Sequence, residues 1–282
     1  MQEERPLKRL MNICFERDRE FWVSHEHRLI FLSIPKNANS YLRSVFINNH
    51  HRAVSYDPAR ESVISYHRRA GKRGMALAGR HVAAFEDYQH VVALRDPFAR
   101  LVSAYLDKIV KPIIDPARHG PDSRYWRQVS RRTRHPVDEA SVTFRRFAAH
   151  ALATPDTQRN RHCRSQHHYL GAHRFTFYGD IADMTSLLNQ FQRCGLDTRL
   201  SLSAAHKRTR YGDFAKPGPH AAHLADWPPA ALGALDSFPS APAFYDPPLC
   251  HQVAAGYGAD VDLYARHARR CPHGLVAAYG TD

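Results

Sequence analysis

The stretch "FLSIPKNANSYLRSVF", residues 31–46, runs from an apolar segment through a proline, one lysine and a short polar loop into a helical pattern. The segment "RLIFLSI" at 28–34 reads as a buried strand, and Pro35 ends it. Leu42, Val45 and Phe46 then fall on one face of a helix over 40–49. A strand, a tight polar loop and a helix start together suit an anion, because the first N–H groups of a helix point outward without intrahelical partners. Lys36 adds a point charge, and Asn39, Ser40 and Tyr41 add donors. The triphosphatase loop GxxxxGK(S/T) is absent, and Lys36 stands at the start of the loop, directly after Pro35. Taken alone, the stretch is also compatible with an ordinary strand–turn–helix connection carrying an exposed lysine.

A second unit of the same kind follows. The segment "HVVALR" at 90–95 is a strand, Asp96 can cap a helix, and Pro97 suits its first position. Phe98, Leu101, Val102, Tyr105 and Ile109 continue at helical spacing. Arg95 leaves the strand at its end and Ser103 lies eight positions later, so a guanidinium fork and a hydroxyl can hold a second phosphate. A surface arginine paired with Asp96 or Asp107, and a small helix-packing serine, are the plainer alternatives. Both motifs in one chain, in this order and at equivalent places, weaken those alternatives.

Further along, "RFTFYGD" at 174–180 predicts a third strand and "MTSLLNQFQRCG" a helix ending at Gly195. Helices are expected over 140–152, 228–238 and 247–268, and a basic loop over 201–226. Residues 111–139 are rich in Pro and Arg and poor in periodic apolar positions, which predicts a long surface excursion or lid. Strands alternating with helices imply an α/β fold with a mostly parallel sheet covered on both faces, whose ligands bind beyond the carboxyl ends of strands. Lys36 and Arg95 both sit at such ends.

The 282 residues suffice for one sizeable domain, read here as 1–282, and 43% hydrophobic residues exclude global disorder. The net charge of +13 favours an anionic partner without choosing among nucleic acid, membrane surface, acidic glycan and phosphorylated ligand. Aromatic residues interleaved with the arginine runs are sparse, so a base-stacking nucleic-acid platform is not expected. No segment approaches the roughly 20 apolar residues of a membrane span. The N-terminal stretch lacks a signal-like apolar run, and five scattered cysteines make no disulfide framework. Both point to a cytoplasmic protein.

"IPKNANSYL" together with "VVALRDPFARLVSAYLDKI" resembles the sulfotransferases that use 3′-phosphoadenosine 5′-phosphosulfate. The likeness is greatest to the branch of carbohydrate sulfotransferases of the chondroitin, HNK-1 and heparan 2-O type and their bacterial relatives. Weaker likeness continues through "RHCRSQHHYL", "FTFYGDIADM" and "YGADVDLYARH". The resemblance implies a three-layer α/β/α fold like that of the P-loop triphosphatases. It implies that Pro35, Lys36, Asn37, Ala38, Asn39, Ser40 and Tyr41 hold the 5′-phosphosulfate, and that Arg95 and Ser103 hold the 3′-phosphate. The family usually has a glycine within the first loop. Here Ala38 and Asn39 stand in the corresponding places, and Asn tolerates left-handed backbone better than most residues. The family's Golgi members carry an N-terminal membrane anchor, and the want of one here favours a bacterial enzyme.

Sulfuryl transfer resembles phosphoryl transfer, so positioning and charge stabilisation should dominate. Lys36 is expected to stabilise the bridging oxygen, with Arg95 and Ser103 fixing the nucleotide; Arg100 either assists them or faces solvent, and the solvent face is the expectation. A histidine has the right pKa to take a proton from the acceptor hydroxyl. His81 in "AGRHVAAFEDY" is the first choice, since the resemblance places a base there; His67 is second and Glu86 third. A histidine that simply bonds within a loop is the alternative for His81. "NRHCRSQHHY" at 160–169 has short His and Cys spacings, but no second Cys pair or acidic ligand at a recognisable offset, so no metal is expected. His67, His167, Lys207 and Arg208 are candidates for acceptor or lid contacts. The acceptor is expected to be a sugar or glycan-like hydroxyl compound, one already bearing negative charge if the arginines of 111–139 face it. A nucleotide kinase, a non-catalytic polyanion binder and an inactive family member are the competing readings.

Overall fold

A computed structural model describes residues 19–50, 63–70, 76–115, 139–199, 224–235 and 237–268. The chain divides into two compact units. The first comprises Met1–Arg95, Gln166–His206 and His267–Arg270; the second comprises Asp96–Ser165, Lys207–Arg266 and Cys271–Asp282.

The first unit is built on a five-stranded sheet. Its strands are β1 (Glu20–Ser24), β2 (Leu29–Ser33), β3 (Ala76–Ala78), β4 (Gln89–Leu94) and β5 (Phe177–Asp180). Their spatial order is β3-β1-β2-β4-β5. β2, β4 and β5 pair in parallel, with Phe31 level with Val91 and Val91 level with Phe177. β1 runs against both β2 and β3, so four of the five strands share one direction. The mixed α/β fold with a mostly parallel sheet is therefore as the sequence implied, with one antiparallel strand added inside it. β1 and β2 form a hairpin whose turn includes Arg28 at φ 47°.

Alternation along the strands sends Trp22, Leu29, Phe31, Val91 and Ala93 into one core, where they meet α1 (Asn39–Asn48), α2 (Val63–Ala70) and α7 (Met184–Arg193). Phe46 and Phe191 contribute edge-to-face packing, with ring centres 5.4 Å apart. The alternate residues Phe21, Val23, Ile30, Leu32 and Val92 are buried as well, so both faces of the sheet are covered. Near the amino end of β4, His90 and His173 bond through their ring nitrogens at 2.8 Å. The other nitrogen of His90 donates to the Phe85 carbonyl. Burial, with the neighbouring His90 and Arg19, lowers the His173 pKa to about 4, so the ring is neutral at pH 7.

The second unit is helical among the described residues. Asp96 accepts from the Ala99 N–H and Pro97 follows, which starts α3 (Pro97–Tyr105) as the sequence predicts. The helix continues through a wider π-type turn at Leu106–Val110 into α4 (Lys111–Ile114). The expected excursion from 111 thus begins as helix, and residues 116–138 lie outside the described set. Next come α5 (Phe144–Ala153), α8 (Pro229–Gly233), α9 (Pro247–Gly256) and α10 (Gly258–His267), while α6 (Gln166–Leu170) belongs to the first unit. The helix expected over 228–238 is one short turn and a half, and that over 247–268 breaks at Tyr257. An aromatic cluster of Tyr105, Phe144, Phe147, Phe244 and Tyr245 forms this unit's core. The buried Tyr245 and Tyr257 hydroxyls donate to the Phe98 and Cys163 carbonyls, which meets the cost of burying them.

Candidate functional site

The loop from Ile34 to Ala38 joins the end of β2 to the start of α1. The Asn37 N–H bonds back to the Ile34 carbonyl, and the chain turns through two left-handed residues, Lys36 at φ 74° and Ala38 at φ 52°. Neither is glycine, so each costs about 1–2 kcal/mol of steric strain. Asn39, which the sequence put forward as the residue tolerant of this backbone, is instead the first residue of α1. The left-handed N-cap position falls on Ala38, which has no side-chain oxygen to offer the first turn. The N–H groups of that turn have no intrahelical carbonyl to meet and carry the positive end of the helix dipole.

Replacing Ala38 with glycine should therefore stabilise the protein by about 0.5–1 kcal/mol, read as a rise in the urea midpoint. Glycine at Asn39, a helical position, should give no such gain. A destabilised Ala38→Gly variant would show that the turn is not left-handed there.

Arg95 follows β4 at the same end of the sheet. Its guanidinium donates to the Lys36 carbonyl at 2.9 Å, so the two motifs singled out in the sequence meet at the carboxyl ends of two neighbouring parallel strands. Beneath them lies a buried amide pair, Asn37 and Gln166, of which the sequence reading named only Asn37. The Asn37 side chain donates to the Ala93 carbonyl at 2.8 Å and to Gln166 Oε1 at 2.6 Å. Gln166 also bonds both backbone groups of Arg95, accepting from its N–H at 3.0 Å and donating to its carbonyl at 2.8 Å. Asn37 and Gln166 are 1% and 0% exposed. Asn37 thus contributes its side chain to the underside of the loop, while Lys36, Asn39, Ser40 and Tyr41 are partly exposed above it.

The remaining predicted residues fall in varied surroundings. Ser103 is buried within α3 of the second unit. Arg100 is a correction: it is 2% exposed and donates to the Arg164 carbonyl at 2.7 Å, because every residue of α3 is buried and the helix has no solvent face to receive it. His67, on α2, is buried against Trp22, and its Nε2 meets Ser44 Oγ at 3.2 Å. Ser44 in turn donates to the Ser40 carbonyl, so His67 supports the first turn of α1 from inside. His81 is exposed on a 3₁₀ segment, Gly79–Phe85, that follows β3. Ala78 is level with Glu20 and Glu20 with Ser33, so this segment leaves the sheet at the same end as the Lys36 loop. Two strand spacings, roughly 10 Å, separate β3 from β2. Glu86 is exposed farther along, and His167 is exposed on α6. Lys207 and Arg208 lie outside the described residues. Among the described residues no group of three or more His, Cys, Asp or Glu is placed to hold a metal; Cys163 is buried and His162 bonds Asn160.

A profile of the sulfotransferase family matches residues 19–213, more than half of the chain, and the chain belongs to that family. It is also 33% identical over 114 residues to carbohydrate sulfotransferase 10 of Xenopus laevis, a match covering 40% of this chain and 30% of that protein. The aligned region thus spans under a third of its relative's length. No solved structure matches the chain significantly. No helix among the described residues is long and apolar enough to cross a membrane.

Proposed function

We propose that the protein moves a sulfuryl group from 3′-phosphoadenosine 5′-phosphosulfate to a hydroxyl of a sugar or glycan-like acceptor. The bond from Arg95 to the Lys36 carbonyl carries this reading, because it joins the loop suited to a 5′-phosphosulfate with the arginine suited to a 3′-phosphate. The site fits such a donor: a helix start without a side-chain cap, a lysine at its mouth and a guanidinium beside it are all cationic or N–H-bearing. A sheet buried on both faces supports the three-layer, P-loop-like arrangement that the family resemblance implies.

When bound, the donor supplies an activated sulfuryl group whose departure leaves negative charge on a phosphate oxygen. The Lys36 ammonium stabilises that charge, and the first-turn N–H groups of α1 share it. Arg95 fixes the 3′-phosphate through its fork, together with Ser103 as the family motif has it. His81 takes the proton of the acceptor hydroxyl; its exposure and its position at the same end of the sheet support this role. The relative's printed name and the +13 charge support a carbohydrate acceptor, one already anionic.

Thermal unfolding with adenosine 3′,5′-bisphosphate, with ATP and without ligand tests the donor. A ligand at about a hundred times its Kd adds roughly 2.7 kcal/mol. The bisphosphate should raise Tm, ATP should do little, and Arg95→Ala should lose most of the shift. A shift with ATP alone would overturn the donor reading in favour of a kinase-like use of ATP.

A further inference from the structure

Gln166 is the residue that holds the two halves of the site in register. Arg95 is the first residue beyond β4, where the strand pairing with β5 has ended at Leu94 and Asp180. Its backbone N–H and carbonyl therefore need new partners, and both find them in one side-chain amide. The Gln166 amide does for Arg95 what a neighbouring strand would do, from a position 71 residues away in the chain. The same oxygen accepts from Asn37, on the underside of a loop strained at Lys36 and Ala38.

The amide orientations are determined by these partners. Asn37 Nδ2 faces two acceptors and Gln166 Nε2 faces a carbonyl, so neither group can be turned over without opposing acceptor to acceptor. The arrangement leaves Asn37 Oδ1 buried with no hydrogen-bond partner among the described residues. A buried acceptor without a donor is destabilising, and strained backbone persists only where its surroundings over-determine it. Both features fall on Asn37 and the two residues that flank it, and the Asn37 amide is the one that Gln166 holds.

From this we infer that Gln166 is a positioning residue for donor recognition: its amide fixes the point at which the Arg95 side chain leaves β4, and so sets the preference for a nucleotide carrying a 3′-phosphate. The inference rests on the donor reading above. Asn37 extends the hold to the 5′ loop and acts on both kinds of nucleotide alike.

The test is the ratio of Kd values for 5′-AMP and adenosine 3′,5′-bisphosphate, which differ only in the 3′-phosphate, measured by calorimetry on the whole chain. Gln166→Met keeps the volume and removes the amide. The preference for the bisphosphate should fall about tenfold, the size of one well-placed charge-assisted bond, with the affinity for AMP little changed. Asn37→Ala should weaken both ligands and leave the ratio intact. In the double variant Gln166→Met with Arg95→Ala, the loss should not exceed that of Arg95→Ala alone. An unchanged ratio in a folded Gln166→Met protein would overturn the inference while sparing the donor reading. A wild-type protein with no preference for the bisphosphate would overturn the donor reading itself, and the inference with it. If the methionine variant does not fold, Gln166→Ala serves in its place, since it removes both bonds to the Arg95 backbone without adding a charge or opposing acceptor to acceptor. Failure of both to fold would make Gln166 a structural residue and end the proposal.

Discussion

Under the proposed function, replacing Lys36 with alanine is expected to slow sulfuryl transfer about 10²–10³-fold while changing the affinity for adenosine 3′,5′-bisphosphate far less. The lysine stands at the mouth of a helix-start loop, partly exposed, with its own carbonyl tied to Arg95. Its charge matters most when negative charge builds on the departing oxygen, and less when the nucleotide merely rests in the site. The two quantities should therefore separate. Turnover can be followed as release of the bisphosphate in the presence of a carbohydrate acceptor that supports the wild-type enzyme. Equal losses in binding and turnover would reduce Lys36 to a contributor of uniform binding. A loss of turnover below about threefold would remove it from the mechanism. Because the Lys36 backbone is left-handed, alanine there keeps the strain that lysine bears, and the comparison isolates the ammonium.

The second large effect is on stability. Phe191 is fully buried on α7 and meets Phe31 of β2 and Phe46 of α1, with ring centres 6.1 and 5.4 Å away. These are the strand and the helix that flank the Lys36 loop. Cutting a buried phenylalanine to alanine removes its transfer free energy and leaves a cavity, at a cost of about 3–5 kcal/mol. That is a large share of the roughly 5–15 kcal/mol that a domain has in total. At about 2–4 °C per kcal/mol for a larger domain, Phe191→Ala should lower Tm by roughly 6–20 °C. Phe191→Leu, which fills most of the space, should cost much less. A Tm within a degree of the wild type would mean that α7 does not close this core.

The contrast between these residues and Gln166 shows what a sequence discloses. Lys36, Arg95, Asp96 and Pro97 announce themselves because strand-to-helix junctions have local grammar: an apolar run, a breaker, a cap and a new period. β2, β4 and β5 were found on that basis, each within three residues of its start. β3 escaped because three residues, Ala76–Ala78, are too few for any period to show. β1 was not read from the sequence, and its antiparallel direction depends on pairings with partners on both sides. Arg100 was misplaced by a rule that assigns a charged residue to the wet face of a helix; α3 has no wet face. Gln166 offers no local signal at all. Its meaning lies in the backbone of a residue 71 positions earlier, and a glutamine beside two histidines looks like any polar helix start.

The first unit is interrupted in the chain, and this governs the order in which it is made. β1 and β2 adjoin in sequence and can pair within a short turn, but β4 must wait for β5 until about eighty intervening residues have been synthesised. Closing a long loop costs entropy before any contact compensates it, so the parallel β4–β5 pairing belongs late in folding. Gln166 lies on the far side of the same interruption. A chain emerging from the ribosome therefore carries Lys36 and Arg95 long before it carries the amide that seats them. Under the proposed function, capture of the nucleotide would report that the returning segment has docked, and the proposed donor site would double as a mark of completed folding.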